Sequence, residues 1–348
     1  MKTQKKILTV SLALALFLTA CGTNGANESA SADATSQETA MASNEAQTSE
    51  EAAKDKALVI YASTDPIYDF VTMIGQDRVE VVDLMEGEGD AHNWEPSPQL
   101  LKDINRADLF LVNGANLEHW LPDIQGAVDG DVQFLDMSAG VNLITNVAED
   151  HEHEEAHEAE HEEEHEDAHE HDHGGVDPHY WLNPKDAAIQ AKNVHDALVK
   201  ADPEGQSVYD EGYAKVEEEF QKLVAAYDAQ LTPFVGRSVI VPHEAFSYLF
   251  NEYQLTQVGI EGLLAEGQPD AKTVAHIVDL GKKNQIQTVF YEGYGDPSQA
   301  EAIAKEIGAN TAPLYTLEAE SKEDRANGAN YFTFMMQNLE NLVKSFGA

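Results

Sequence analysis

Residues 204–231 read EGQSVYDEGYAKVEEEFQKLVAAYDAQL. Tyr209, Tyr213, Val216, Phe220, Leu223, Tyr227 and Leu231 step by four and three, which puts them on one stripe of an α-helix. Pro203 precedes the run and Pro233 marks its end. At about 1.5 Å per residue such a helix is about 40 Å long, enough to run the height of two lobes. It decides the fold because the chain on either side of it is built from the same alternating pattern. Before it, ALVIYAS (57–63), RVEVVDLM (78–85), ADLFLVNG (107–114) and VQFLDMS (132–138) are β-rich runs, with helical stretches near 66–75, 98–105 and 117–127. Ser97 followed by Pro98 suits an N-cap and first helical residue. After it, SVIVP (238–242), LTQVGI (255–260), QTVFYEG (287–293) and APLYTL (312–317) alternate with helices near 244–253, 270–283 and 297–307. Strands alternating with helices predict parallel sheets covered by helices on both faces. The expected fold class is therefore α/β, with a first lobe over 58–203, a linking helix over 204–231 and a second lobe over 232–348.

The start of the chain is an address. Lys2, Lys5 and Lys6 precede an apolar run from Ile7 to Leu18, too short to span a bilayer, which reads as a secretory signal over 1–20. The string LTAC that follows looks like a bacterial lipobox, in which Cys21 is lipidated. Cys21 is the only cysteine, so no intrachain disulfide can form. Residues 21–57 are dominated by Ala, Ser, Thr, Asn and Glu, the composition of a flexible tether. Together these predict a body lipid-anchored at the outer face of a bacterial cell membrane.

The 348 residues carry a formal charge of −42, which disfavours nucleic acid or an anionic lipid surface as a partner and suits cations. Part of that charge lies in HEHEEAHEAEHEEEHEDAHEHDH (151–173), within a loop expected over 149–175. The tract carries His151, His153, His157, His161, His165, His169, His171 and His173, and the HExxH pattern recurs along it in overlapping copies. A metalloprotease needs that motif on a rigid helix in a shaped cleft. Here the pattern follows from composition alone, and nothing apolar is present to pack the segment. A weak metal-capture loop fits better, and a merely solubilising acidic loop is the plainer alternative.

Three histidines outside the tract have distinctive settings. His92 lies in GDAHNWEPSP after a strand, His179 in DPHYWLNP before a helix, and His243 in SVIVPHEAFSYL at a strand's end. Open α/β sheets bind ligands beyond the carboxyl ends of their strands. Glu292, ending the strand in QTVFYEG, holds the equivalent place in the second lobe. Three imidazoles and a carboxylate form an N/O set suited to Zn²⁺. Taken singly, each histidine reads more simply as a structural loop residue. His119, His195 and His276 read as structural or solvent-facing.

AHNWEPSP, ADLFLVNGANLEHWLPDI, DPHYWLNP, PHEAFSYL, FYEGYGDPSQAEAIAKEIGA and NYFTFMMQNLENL together resemble the solute-binding proteins of metal ABC transporters, the zinc/manganese family called cluster A-I. The resemblance runs from about Leu58 to Leu342. It implies two α/β lobes joined by one rigid helix, with the metal in the cleft between them. The ligands it implies are His92, His179 and His243, the last where manganese-type members tend to carry Glu. For the fourth it implies Glu292, with Asp296 as the alternative. Zinc-type members often carry a His/acidic insertion between the first two ligands, where the 151–173 tract lies. The implied function is a monomeric, non-enzymatic Zn²⁺ receptor that delivers its ion to an ABC permease and its ATPase. The rivals are a manganese receptor of the same fold and a surface adhesin with a structural metal.

Overall fold

The structure, a computed structural model, describes residues 57–347 apart from 86–90, 130, 146–174, 264, 266–268 and 319. The signal segment, Cys21, the tether and the histidine tract therefore lie outside the described residues.

The first sheet is parallel, in the order β2-β1-β3-β4, from β1 (Leu58–Ala62), β2 (Val79–Asp83), β3 (Leu109–Val112) and β4 (Gln133–Asp136). The central strands β1 and β3 are almost wholly buried, which is why LVIYA and LFLV read as unbroken apolar runs rather than alternating ones. The helices on this side are α1 (Asp65–Gly75), α2 (Leu100–Asp103), α3 (Leu121–Ala127) and α4 (Pro184–Ala201). Ser97 Oγ accepts from Leu100 N at 3.2 Å, but α2 starts at Leu100 and Gln99, not Ser97, directly precedes it. The helix expected from residue 117 begins only at Leu121, because Gly114, Ala115 and Asn116 adopt left-handed backbone angles that turn the chain first.

The long helix α5 spans Gln206–Leu231, after a 3₁₀ turn at Pro203–Gly205. Its buried stripe is Tyr209, Gly212, Val216, Phe220, Leu223, Tyr227 and Leu231. Tyr213, expected on that stripe, is half-buried and instead stacks near His195, with ring centroids 4.8 Å apart. Gly212 takes the inner position because α1 passes too close for a side chain: a Cβ there would lie 2.5 Å from Ile74 O. Each large side chain on the stripe adds roughly 2–3 kcal/mol by leaving water.

The second sheet repeats the first, in the order β6-β5-β7-β8 and again parallel: β5 (Ser238–His243), β6 (Thr256–Glu261), β7 (Thr288–Glu292) and β8 (Asn310–Leu314). Its helices are α6 (Ser247–Glu252), α7 (Ala271–Lys283) and α8 (Ser298–Ile307), followed by α9 (Lys322–Ala326) and α10 (Tyr331–Ser345). One apolar core joins the first sheet, α5, β5 and α10, and a smaller one lies among the second sheet, α7 and α8. The long helix meets both sides. Phe220 packs 5.5 Å from Phe70 of α1, and Tyr227 donates to Met335 O of α10 at 2.7 Å.

One strand ends earlier than its sequence suggests. APLYTL was expected to be strand to residue 317, but β8 stops at Leu314. The backbone of Tyr315 is claimed by α10, with Asn338 Oδ1 accepting from its N–H and Asn338 Nδ2 donating to its carbonyl, both at 2.8 Å. Leu317 then turns at φ 58°. Those contacts take Thr316, Leu317 and Glu318 out of the sheet and towards the cleft.

Candidate metal centre

His92, His179, His243 and Glu318 converge, each no more than 5% exposed. Each offers one ligand atom, and the four atoms lie within 4.8 Å of one another. His179 Nε2 is 3.1 Å from His92 Nε2 and 3.5 Å from His243 Nε2. Glu318 Oε1 stands 3.4 Å from His243 Nε2, 3.6 Å from His179 Nε2 and 4.0 Å from His92 Nε2. A tetrahedral Zn²⁺ with bonds of about 2.0–2.1 Å keeps its ligand atoms about 3.3 Å apart, so these spacings bracket the edges such an ion needs.

Each side chain arrives on different scaffolding. His243 ends β5, at the carboxyl edge of the second sheet. His92 lies on the segment that follows β2, and Ala91 N donates to Glu318 Oε2 at 3.4 Å. His179 begins the turn Tyr180–Leu182, pinned on both sides by Asn113: its Nδ2 donates to Pro178 O at 3.1 Å, and its carbonyl accepts from Tyr180 Oη at 2.8 Å. Trp181 Nε1 donates to Thr316 O at 2.7 Å, joining this turn to the segment that bears Glu318.

The far side of the His179 imidazole is also engaged. Asp177 Oδ1 lies 2.9 Å from both the backbone N and the Nδ1 of His179. A proton on Nδ1 frees Nε2 for a metal, and a carboxylate behind a ligating histidine fixes its orientation and raises its basicity. Burial opposes a charge on His179, but Asp177 and Glu318 outweigh it and push its pKa up to about 9. Burial likewise opposes a charge on Glu318, yet His179, His243 and His92 hold its carboxyl well below the usual range.

Glu292 and Asp296 are not in this group. Glu292 Oε2 stands 3.9 Å from His243 Nδ1, the ring edge opposite the one that faces Glu318. Its Oε1 accepts from Thr316 N at 3.1 Å and Thr316 Oγ1 at 3.0 Å. Burial pushes this carboxyl up to about 7, against the pull of His243. Asp296 is exposed just before α8, its Oδ1 accepting from Ser298 N at 3.0 Å. Both line a cavity of about 600 Å³ beside the cluster, which His243, Thr316 and Glu318 also border. The expected fourth ligand was Glu292 or Asp296; in this geometry Glu318 faces the three Nε2 atoms, and Glu292 backs His243. Glu318 could have been found by the criterion that selected Glu292, since it directly follows the apolar run APLYTL. Asp177, two residues before His179, carried no separate signal. His119 and His195 are half-buried and His276 is exposed, all outside the cluster. His195 Nε2 pairs with Asp210 Oδ1 at 2.8 Å.

The family model described as "ZnuA: Zinc-uptake complex component A periplasmic" matches residues 60–345. The chain belongs to this family. It is 32% identical over 293 residues to the high-affinity zinc uptake system protein ZnuA of Bacillus subtilis (strain 168), covering 84% of this chain and 88% of that one. Against the longer streptococcal zinc-binding proteins named AdcA it spans only 54–56% of their length. Among solved structures, the Zn(II)-bound ZnuA-like domain of Streptococcus pneumoniae AdcA is 27% identical with a TM-score of 0.68, covering 83% of this chain and 98% of that one. The laminin-binding protein Lmb of Streptococcus agalactiae, titled a bifunctional protein with adhesin and metal transporting activity, is 25% identical with a TM-score of 0.69, covering 83% and 99%. The paired parallel sheets and the long helix are the ZnuA-like fold. A set of three imidazoles and one carboxylate fits the zinc that such proteins bind.

Proposed function

We propose that this protein is an extracytoplasmic Zn²⁺ receptor that hands its ion to an ABC permease and ATPase for uptake, and that it is a binding protein rather than an enzyme. The observation that carries this reading is the buried group of His92, His179, His243 and Glu318, with its spacings of 3.1–4.0 Å. Four protein ligands complete a tetrahedron and leave no open position for an activated water, which favours holding an ion over catalysis. Three nitrogen donors also favour zinc over manganese, which prefers oxygen.

The remaining assignments follow from the sequence. Residues 1–20 are a signal, Cys21 is the lipid anchor at the outer face of the membrane, and 21–57 tether a monomeric body. The body divides into lobes over 58–203 and 232–348 around the linking helix. The loop histidines from His151 to His173 capture zinc weakly for the cleft. The described ends of that loop meet close to the site, where Thr145 and Val176 form an antiparallel bridge.

The test is a chelator competition with Zn²⁺ and Mn²⁺ on residues 22–348 and on a form lacking 151–173. One tight zinc site in both forms, with extra weak sites only in the longer, supports the reading. Tight binding that disappears with the loop sinks the cleft assignment. The likeness to Lmb favours a second reading, adhesion to laminin, which a binding assay on metal-free and zinc-loaded protein would decide.

A further inference from the structure

The chain that carries Glu318 does not return directly to its own sheet. It crosses to the first lobe and is fastened there by Arg325, on α9. Arg325 Nη2 donates to Asp65 Oδ1 at 2.8 Å, and its Nη1 donates to Asp83 Oδ2. The guanidinium carbon lies 4.2 Å from the ring centroid of Tyr68, and Nε is 3.8 Å from Glu320 Oε2. The Asp65 and Asp83 side chains are 0% and 3% exposed, so this is a buried, two-armed contact and not a surface ion pair. Tyr331 N, further along, donates to the buried Asp69 carboxylate at 2.6 Å.

Two features make the position of this contact informative. Asp83 closes β2, and its Oδ1 accepts from Met85 N at 2.9 Å, so it also shapes the start of the segment leading to His92. Arg325 therefore grips the root of the His92 segment while lying seven residues beyond Glu318. On its other side the crossing is rooted in the second lobe, by Asn338 on Tyr315, by Glu292 on Thr316, and by Tyr294 Oη donating to Asp324 Oδ2 at 2.8 Å. Glu318 sits between the anchors on Tyr315 and Thr316 and the one at Arg325, while the Tyr294–Asp324 contact ties α9 itself back to the second lobe.

We propose that Arg325 is a positioning residue for the metal centre: by tying the Glu318 segment to Asp65 and Asp83, it holds the carboxylate against His92 and His179 and so slows metal release. This rests on the receptor reading above. Loss of the tie lets Glu318 draw back with the second lobe, and with His243 on β5, from His92 and His179.

The test uses the full chain and two variants, Arg325→Lys and a triple, Arg325→Met with Asp65→Asn and Asp83→Asn, which removes both hydrogen-bonded ion pairs without leaving either aspartate charged and unpartnered. Zn²⁺ dissociation into excess chelator is followed by stopped flow, and the absorption of one equivalent of Co²⁺ reports coordination. The triple variant is expected to release its tight zinc about 10–100-fold faster, with association little changed. Its Co²⁺ spectrum should shift towards that of Glu318→Gln, and Arg325→Lys should restore part of both. An unchanged off-rate and Co²⁺ spectrum in a folded triple variant overturns the proposal. So does a triple variant that cannot fold, because Arg325 would then serve the fold and not the site. Absence of tight zinc binding in the unaltered protein would instead sink the receptor reading itself.

Discussion

Asp177 holds His179 by two hydrogens at once: a single carboxylate oxygen accepts from both the backbone N–H and the ring Nδ1, each at 2.9 Å. The pair is fully buried, and it leaves only Nε2 of His179 free to face the cluster. Replacing Asp177 with Ala should lower zinc affinity about 10–100-fold, the usual cost of losing such a partner. Asp177→Asn, which keeps an acceptor but not the charge, should cost less. Competition against a calibrated chelator reads both, and equal affinity in all three proteins would remove Asp177 from the site.

Glu318 and Glu292 separate cleanly by substitution. Glu318→Gln removes the one carboxylate that, among the described residues, faces the three Nε2 atoms, and should cost at least about 2–3 kcal/mol of binding, or roughly 30–150-fold. Glu292→Gln keeps the acceptor for Thr316 and disturbs only the back of His243, so its effect should stay within about tenfold. The reverse order would restore Glu292 as the fourth ligand.

Metal binding should release protons. In the metal-free protein the His179 pKa is pushed up to about 9, so near neutral pH the ring is charged and a proton must leave before Nε2 can bind. Glu318, held well below its usual range, is already ionised and releases none. Affinity should therefore fall as pH drops, beginning well above the ordinary histidine value of about 6.5. Calorimetry at pH 7.5 in buffers of different ionisation enthalpy should show about one proton released per zinc. Buffer-independent heats would contradict this.

The metal-free body should be more stable at pH 6 than at pH 8.5. Burial pushes Asp69 up to about 7, Glu118 to about 7 and Glu320 to about 8. Glu292 is likewise raised to about 7, and His179 to about 9. All five pKa values exceed those of the unfolded chain. Their contribution is full below the unfolded values and is lost as pH rises through about 7 to 9. Glu318 works in the opposite sense, stabilising above the ordinary carboxylate range and losing that contribution as pH falls through its depressed value. A net loss of about 2 kcal/mol would lower Tm by about 4–8 °C between pH 6 and 8.5. Scanning calorimetry with chelator present measures it, and a higher Tm at pH 8.5 would refute the balance.

Much of this protein can be read without its tertiary structure. The two series of strands and helices and the long stripe around Val216 and Phe220 are local periodicities, and neither needs a distant partner to be recognised. The same holds for His92, His179 and His243, polar groups placed beside apolar runs where a parallel sheet opens to ligands. The carboxylate that faces the three histidines is of another kind. Glu292, Asp296 and Glu318 all follow a strand of the second lobe, and composition cannot say which of them turns inward. That choice is made when Asn338, on a helix 23 residues further along, takes the backbone of Tyr315 and ends β8 early. The roles of Asp177 behind His179 and of Arg325 at Asp65 and Asp83 have the same origin. A hydrogen bond is set by distance in space, and the Arg325–Asp65 contact closes a separation of 260 residues that no local pattern records.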